Sequence, residues 1–127
     1  MNNSRILIAE DETVLRFLLT ETLEEEGWEI DEAEDGRAAM DSLRHGEYDL
    51  AILDYMMPEA TGIEVCEWLR AEGGRNADKP VILLTAKAGE KDKARALAAG
   101  VSLFVAKPFS PDELTESVRG LLAGGRS

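Results

Sequence analysis

Cysteine is almost missing from this chain. Cys66 stands alone, so no internal disulfide can form, which suits a reducing compartment. Histidine is as scarce. His45, at the end of a helical stretch before Gly46, has no second histidine to share a metal or a catalytic relay with. Positive charge is also short: 14 lysines and arginines stand against 26 aspartates and glutamates, a net charge of −12. That balance argues against direct contact with nucleic acid or an anionic membrane, both of which need a positive face. No apolar run approaches the ~20 residues of a membrane span. Met1-Asn2-Asn3-Ser4 lacks the basic-then-apolar pattern of a secretion signal, so the expected location is the cytoplasm. Repeats, low-complexity tracts and a second domain are absent too.

What is present is alternation. Short apolar runs follow amphipathic stretches from end to end, the signature of βαβ units. The 127 residues read as one domain, long enough to bury a core unaided, with its core over 5–122 and a frayed tail over 123–127. Strands are expected at Arg5–Ala9, Trp28–Ala33, Leu50–Leu53, Val81–Leu84 and Leu103–Ala106. The second mixes apolar and acidic residues, which places it at an edge. The first, third and fourth are apolar on both faces and therefore central. Helices are expected at Thr13–Glu26, Asp35–His45, Gly62–Ala71, Glu90–Ala99 and Pro111–Leu122. In the first helix Leu15, Leu18, Leu19 and Leu23 share one face. Gly27 and Gly100 close helices. Ser110, Pro111 and Glu113 form a capping box for the last one. The polar run Gly73–Lys79 reads as a flexible loop. These elements make a three-layer α/β/α sandwich around a five-stranded parallel sheet.

Four apolar runs stop on polar residues: Glu10-Asp11, Asp54, Thr85 and Lys107-Pro108. In a parallel sheet these ends converge on one edge, where open α/β sheets bind their ligands. Three carboxylates together repel one another and invite a divalent cation. The pattern reads as a metal-dependent, phosphate-handling site.

Glu10-Asp11, Leu53-Asp54-Tyr55-Met56-Met57-Pro58 with Gly62, Leu84-Thr85-Ala86 and Lys107-Pro108-Phe109 together resemble the receiver domain of two-component response regulators. The resemblance spans about Arg5 to Leu122. It implies a flavodoxin-like (βα)5 fold with strand order 2-1-3-4-5. It implies that Asp54 accepts a phosphoryl group from a sensor histidine kinase or phosphotransfer protein. Mg2+, with Mn2+ as a substitute, would be held by Asp11, Asp54 and the Met56 carbonyl. Glu10, at a position more often Asp, would reach it through water. Thr85, Ala86 and Lys107 would receive the phosphoryl group. Thr85 and Phe104 would act as the switch, and Met56 and Lys87 would tune phosphoryl loss. Lys107-Pro108 would be a cis peptide.

The resemblance also implies a signal carrier, not an enzyme, with slow self-dephosphorylation at most. Its output would pass to a downstream protein through the face formed by the fourth helix, fifth strand and fifth helix. Paired charges that dimerise many relatives there are largely missing: Val101-Ser102-Leu103 follows Gly100, and Arg119 is the only basic residue of the fifth helix. The expectation is a monomer, with phosphorylation-dependent dimerisation as the alternative.

Bland readings stand beside these. Glu10 and Asp11 could simply favour a helix N-terminus. Thr85 could be an ordinary strand residue, and Phe104 could be core. Lys107 could be a solvated surface lysine. Met57 and Cys66 read as packing. Phe17, on the polar side of the first helix beside Val14, is an isolated apolar residue or a kinase contact. An aspartyl-phosphate hydrolase would want a second Asp where Met56 stands. A flavin-binding site would be repelled by the acidic loop Glu10-Asp11-Glu12.

Overall fold

The computed structural model describes residues 3–124. Five parallel strands lie in the order β2-β1-β3-β4-β5. They are β1 (Arg5–Ala9), β2 (Glu29–Ala33), β3 (Leu50–Asp54), β4 (Val81–Thr85) and β5 (Leu103–Ala106). Between and after them run α1 (Thr13–Glu24), α2 (Gly36–His45), α3 (Gly62–Glu72), α4 (Glu90–Ala99) and α5 (Pro111–Gly124).

Side chains alternate across a strand, and here the alternation feeds two cores. Ile6, Ile8, Leu50, Ile52, Ile82 and Leu84 pack on one face with Leu19 and Leu23 of α1 and Leu114 and Val118 of α5. Leu7, Leu53, Val81 and Leu83 pack on the other with residues of α2, α3 and α4. Central strands buried on both faces are apolar except at their end residues Arg5, Asp54 and Thr85, and β2, covered less, carries acidic residues at the sheet edge. The flavodoxin-like three-layer sandwich is the result.

Local details depart from the sequence pattern. α1 ends at Glu24, and Gly27 takes the positive φ of +91° that lets the chain turn back into β2. Leu18 does not share the buried face of Leu19 and Leu23; it is 47% exposed beside Val14 and Phe17. Spacing alone could not decide this, because α1 covers only a narrow strip of the sheet. Thr61 and Glu64 form a full capping box at the start of α3. At α5 the Ser110 hydroxyl accepts from the Glu113 amide at 3.3 Å. Ala123 and Gly124, expected in the frayed tail, belong to α5, while residues 125–127 of that tail lie outside the described residues.

The run 73–79 is ordered, not loose. It contains a 3-10 turn at Gly74–Asn76, and Asn76 is fully buried. Its side chain donates to the carbonyls of Leu43 and Gly46, both at 2.8 Å, and accepts from the Tyr48 amide at 2.9 Å. A polar residue in a loop looks disposable in sequence; this one satisfies three backbone groups. Arg70, near the end of α3, serves backbone groups in the same way. Its guanidinium donates to the carbonyls of Ala77, Lys79 and Gly100, the last at the end of α4. The Cys66 thiol meets the Ala99 carbonyl at the same end. The opposite end of α4 has no side-chain cap, and its first turns are largely exposed.

Candidate functional site

Parallel register brings the polar strand ends to one level. Asp54 pairs with Leu84, one residue before Thr85, and Thr85 pairs with Ala106, one residue before Lys107. The Lys107 amide donates to the Thr85 carbonyl at 2.8 Å. Glu10 continues β1, its amide bonded to the Ala33 carbonyl of β2 at 3.0 Å. The Lys107-Pro108 bond is cis, as the resemblance implies.

Glu10, Asp11 and Asp54 each bring a carboxylate oxygen within 4.8 Å of the others. Asp54 is 4% exposed and Glu10 only 1%, so two of the three charges are buried, while Asp11 lies at the surface. The Lys107 ammonium sits 2.6 Å from Asp54 Oδ1 and 3.4 Å from Glu10 Oε1. The second Glu10 oxygen accepts from the Glu12 amide at 3.0 Å. Lys107 is therefore no solvated lysine, and Glu10 is no ordinary surface acid.

Electrostatics follow from this crowding. Burial pushes the Asp54 carboxyl above the usual range, opposed by Lys107 and reinforced by Asp11. Burial also raises Glu10, opposed by the Glu12 amide. For Lys107, burial works against the charge, but the hydrogen bond and attraction of Asp54, aided by Glu10, outweigh it and raise its pKa. One ammonium faces three carboxylates, so negative charge remains in excess. An all-oxygen donor set with that deficit suits a hard divalent cation such as Mg2+. The residues present fit the ion.

The other candidates surround this centre. The buried Thr85 hydroxyl accepts from the Lys87 amide at 2.8 Å, which holds it close to its own loop. Ala86 and Lys87 are exposed at the rim, as is the Met56 side chain, whereas Met57 is buried. Phe104, half-buried, pairs with Leu83 and packs against the α2–α3–α4 core. His45 is exposed and bonded to the Asp41 carbonyl, and it is not one of the clustered residues. Cys66 is buried.

One neighbour is invisible in a motif reading. Arg16 of α1 donates from Nη1 to the Glu10 carbonyl at 2.6 Å and from Nε to Glu32 of β2 at 3.0 Å. Only its position three residues after Thr13, on the side of α1 nearest the acidic loop, hinted at it.

Comparisons with known proteins converge. Residues 6–119 match the family described as "Response regulator receiver domain". The chain is 41% identical over 121 residues to the transcriptional regulatory protein ResD of Bacillus subtilis, covering 95% of this chain and 49% of ResD. It is 37% identical over 118 residues to the phosphate regulon transcriptional regulatory protein PhoB of Escherichia coli, covering 93% and 51%. The chain thus spans about half the length of these curated relatives. Among solved structures, the Francisella response regulator 1452 receiver domain superposes with a TM-score of 0.90 at 32% identity, covering 97% of this chain and 99% of that one. No helix among the described residues is long and apolar enough to cross a membrane.

Proposed function

This chain belongs to the receiver domains of two-component response regulators, and from that premise we propose that Asp54 is its phospho-acceptor in a Mg2+-dependent reaction. The observation that carries the proposal is the buried Asp54 carboxylate, joined to Lys107 at 2.6 Å inside a cluster of three acids at the sheet edge.

The donor is a phosphohistidine on a partner kinase or phosphotransfer protein. A carboxylate oxygen of Asp54 attacks phosphorus in line. The P–N bond breaks, its electron pair goes to the imidazole, and an acyl phosphate forms. Such transfer asks for positioning and charge neutralisation more than covalent help. Glu10, Asp11, Asp54 and the Met56 carbonyl would hold the Mg2+, which would supply much of that neutralisation. Lys107 supplies a second positive charge and turns from Asp54 to a phosphoryl oxygen. Thr85 leaves the Lys87 amide to donate its hydroxyl to the phosphoryl group, with the small Ala86 leaving room. Phe104 moves into the space Thr85 vacates. Met56 and Lys87, exposed at the rim, set how readily water reaches phosphorus. The chain is a signal carrier and not a turnover enzyme.

Output passes to a protein partner over α4, β5 and α5. Arg119, the only basic residue of α5, is already engaged by Glu26 and Glu116, which supports a monomer on that face.

Labelling with a small phosphodonor tests this reading. With acetyl phosphate and Mg2+, intact-mass analysis should show one added phosphoryl group on the wild type and none on Asp54→Ala. Label retained by the variant would move the acceptor elsewhere.

A further inference from the structure

We propose that Arg16 is a positioning residue for the divalent-cation site, acting through the main chain of Glu10. This rests on the reading of Glu10, Asp11 and Asp54 as a Mg2+ site, and it adds what keeps two of those acids in place.

The Glu10 main chain is gripped on both sides. Its amide donates to the Ala33 carbonyl at 3.0 Å, and its carbonyl accepts from Arg16 Nη1 at 2.6 Å. Arg16 is tied in turn to Glu32, the residue before Ala33, at 3.0 Å. Strand β2 therefore holds Glu10 twice, once directly and once through the guanidinium. The Arg16 side chain is only 15% exposed, unusually low for an arginine.

The Glu10 carbonyl belongs to the planar peptide that leads into Asp11. Fixing that plane anchors the N–Cα bond of Asp11 and leaves only its φ and side-chain torsions free to turn the carboxylate away. This matters because, among the described residues, no hydrogen bond or ion pair orients the Asp11 carboxylate itself. Three carboxylates within 4.8 Å push apart, and the exposed loop is the segment free to yield. The strut opposes that relaxation. The guanidinium serves the carbonyl from Nη1 and Glu32 from Nε, a two-nitrogen geometry that the single nitrogen of an ammonium does not reproduce.

An ordinary ion pair between α1 and β2 predicts something different. It would cost little to remove. Deleting its positive charge near the acids would also tighten cation binding, since one repulsive charge would be gone. The strut predicts the opposite sign, and groups that orient metal ligands typically shift affinity by about 10–100-fold.

The experiment is Mn2+ binding to the full chain, read from the EPR signal of the free ion, with Mg2+ in competition. Urea unfolding of each variant runs beside it. Arg16→Met should weaken binding about tenfold or more. Arg16→Lys should fall between it and the wild type, and Glu32→Gln should weaken binding less than Arg16→Met. The Arg16→Met/Glu32→Gln pair should be no worse than Arg16→Met alone, because both act through one strut. Arg16→Met with affinity within twofold of wild type, or tighter, overturns the proposal. Should Arg16→Met fail to fold, Arg16→Lys and Glu32→Gln carry the same test, and unchanged affinity in both overturns it. A wild type that binds no Mn2+ removes the cation site itself and the strut with it, whereas a wild type that binds beside an unaffected Arg16→Met removes the strut alone.

Discussion

Replacing Asp54 by asparagine should make the cation-free protein more stable at neutral pH. The magnitude follows from three effects. Each like-charge pair, with oxygens within 4.8 Å, costs about 3.5 kcal/mol at an effective dielectric of ~20, and Asp54 makes two such pairs. Lys107 at 2.6 Å returns about 6 kcal/mol on the same scale. The two nearly cancel, and the cost of burying the carboxylate decides the sign against the charge. The net gain for Asp54→Asn should be about 1–3 kcal/mol, several degrees in Tm for a domain of this size. The pH dependence has a fixed sign. Because the folded-state carboxyl of Asp54 is raised by burial, the contribution of this group to wild-type stability is fully present below the ordinary carboxyl range and is lost as pH rises through the folded value. The difference between the proteins should therefore be large at pH ~7.5 and small at pH ~3.5. Urea unfolding in EDTA measures both. Saturating Mg2+ should then stabilise the wild type more and close the gap, by about 2.7 kcal/mol at a hundredfold excess over Kd. An Asp54→Asn protein no more stable than wild type at neutral pH in EDTA would refute the argument. So would a gap that persists unchanged in acid.

Three other perturbations have definite outcomes. Asn76→Ala removes three hydrogen bonds and strands a buried carbonyl, a part-buried carbonyl and a buried amide; urea unfolding should show a loss of about 3 kcal/mol. The Tyr48 phenol, buried and donating to Asp31 at 2.6 Å, is pushed up to about 12. A phenolate absorbance titration should show an ionisation near about 12 that Tyr48→Phe abolishes, and the stability this group contributes should be present below about pH 10 and fade as pH rises through that value. Gly62→Ala would place a methyl 2.5 Å from the Asp54 carbonyl and 2.7 Å from Leu83. It should cost about 1–3 kcal/mol in unfolding and slow acetyl phosphate labelling, because the backbone that carries Asp54 must shift.

The strands and the acidic cluster were legible because each announces itself twice. Leu50–Leu53 is apolar on both faces, and Asp54 interrupts the run where no charge would sit by chance. The same holds for Lys107 after β5. Residues that act on backbone groups leave no such trace. Asn76 looks like a loop residue, and only the fold brings Leu43, Gly46 and Tyr48 to it. Arg16 reads as the polar side of an amphipathic helix until β2 supplies Glu32 beside it. Leu18 had the right spacing for burial and lost to geometry, because Leu19 and Leu23 already fill the contact of α1 with the sheet.

Helix α4 is fastened unevenly. Arg70 and Cys66 grip the carbonyls at its far end, while the end nearest Thr85 has no side-chain cap and little cover. Such a helix behaves as a lever with its fulcrum at Gly100. A displacement of the loop after β4 therefore moves the first turns of α4 most and dies away towards Gly100.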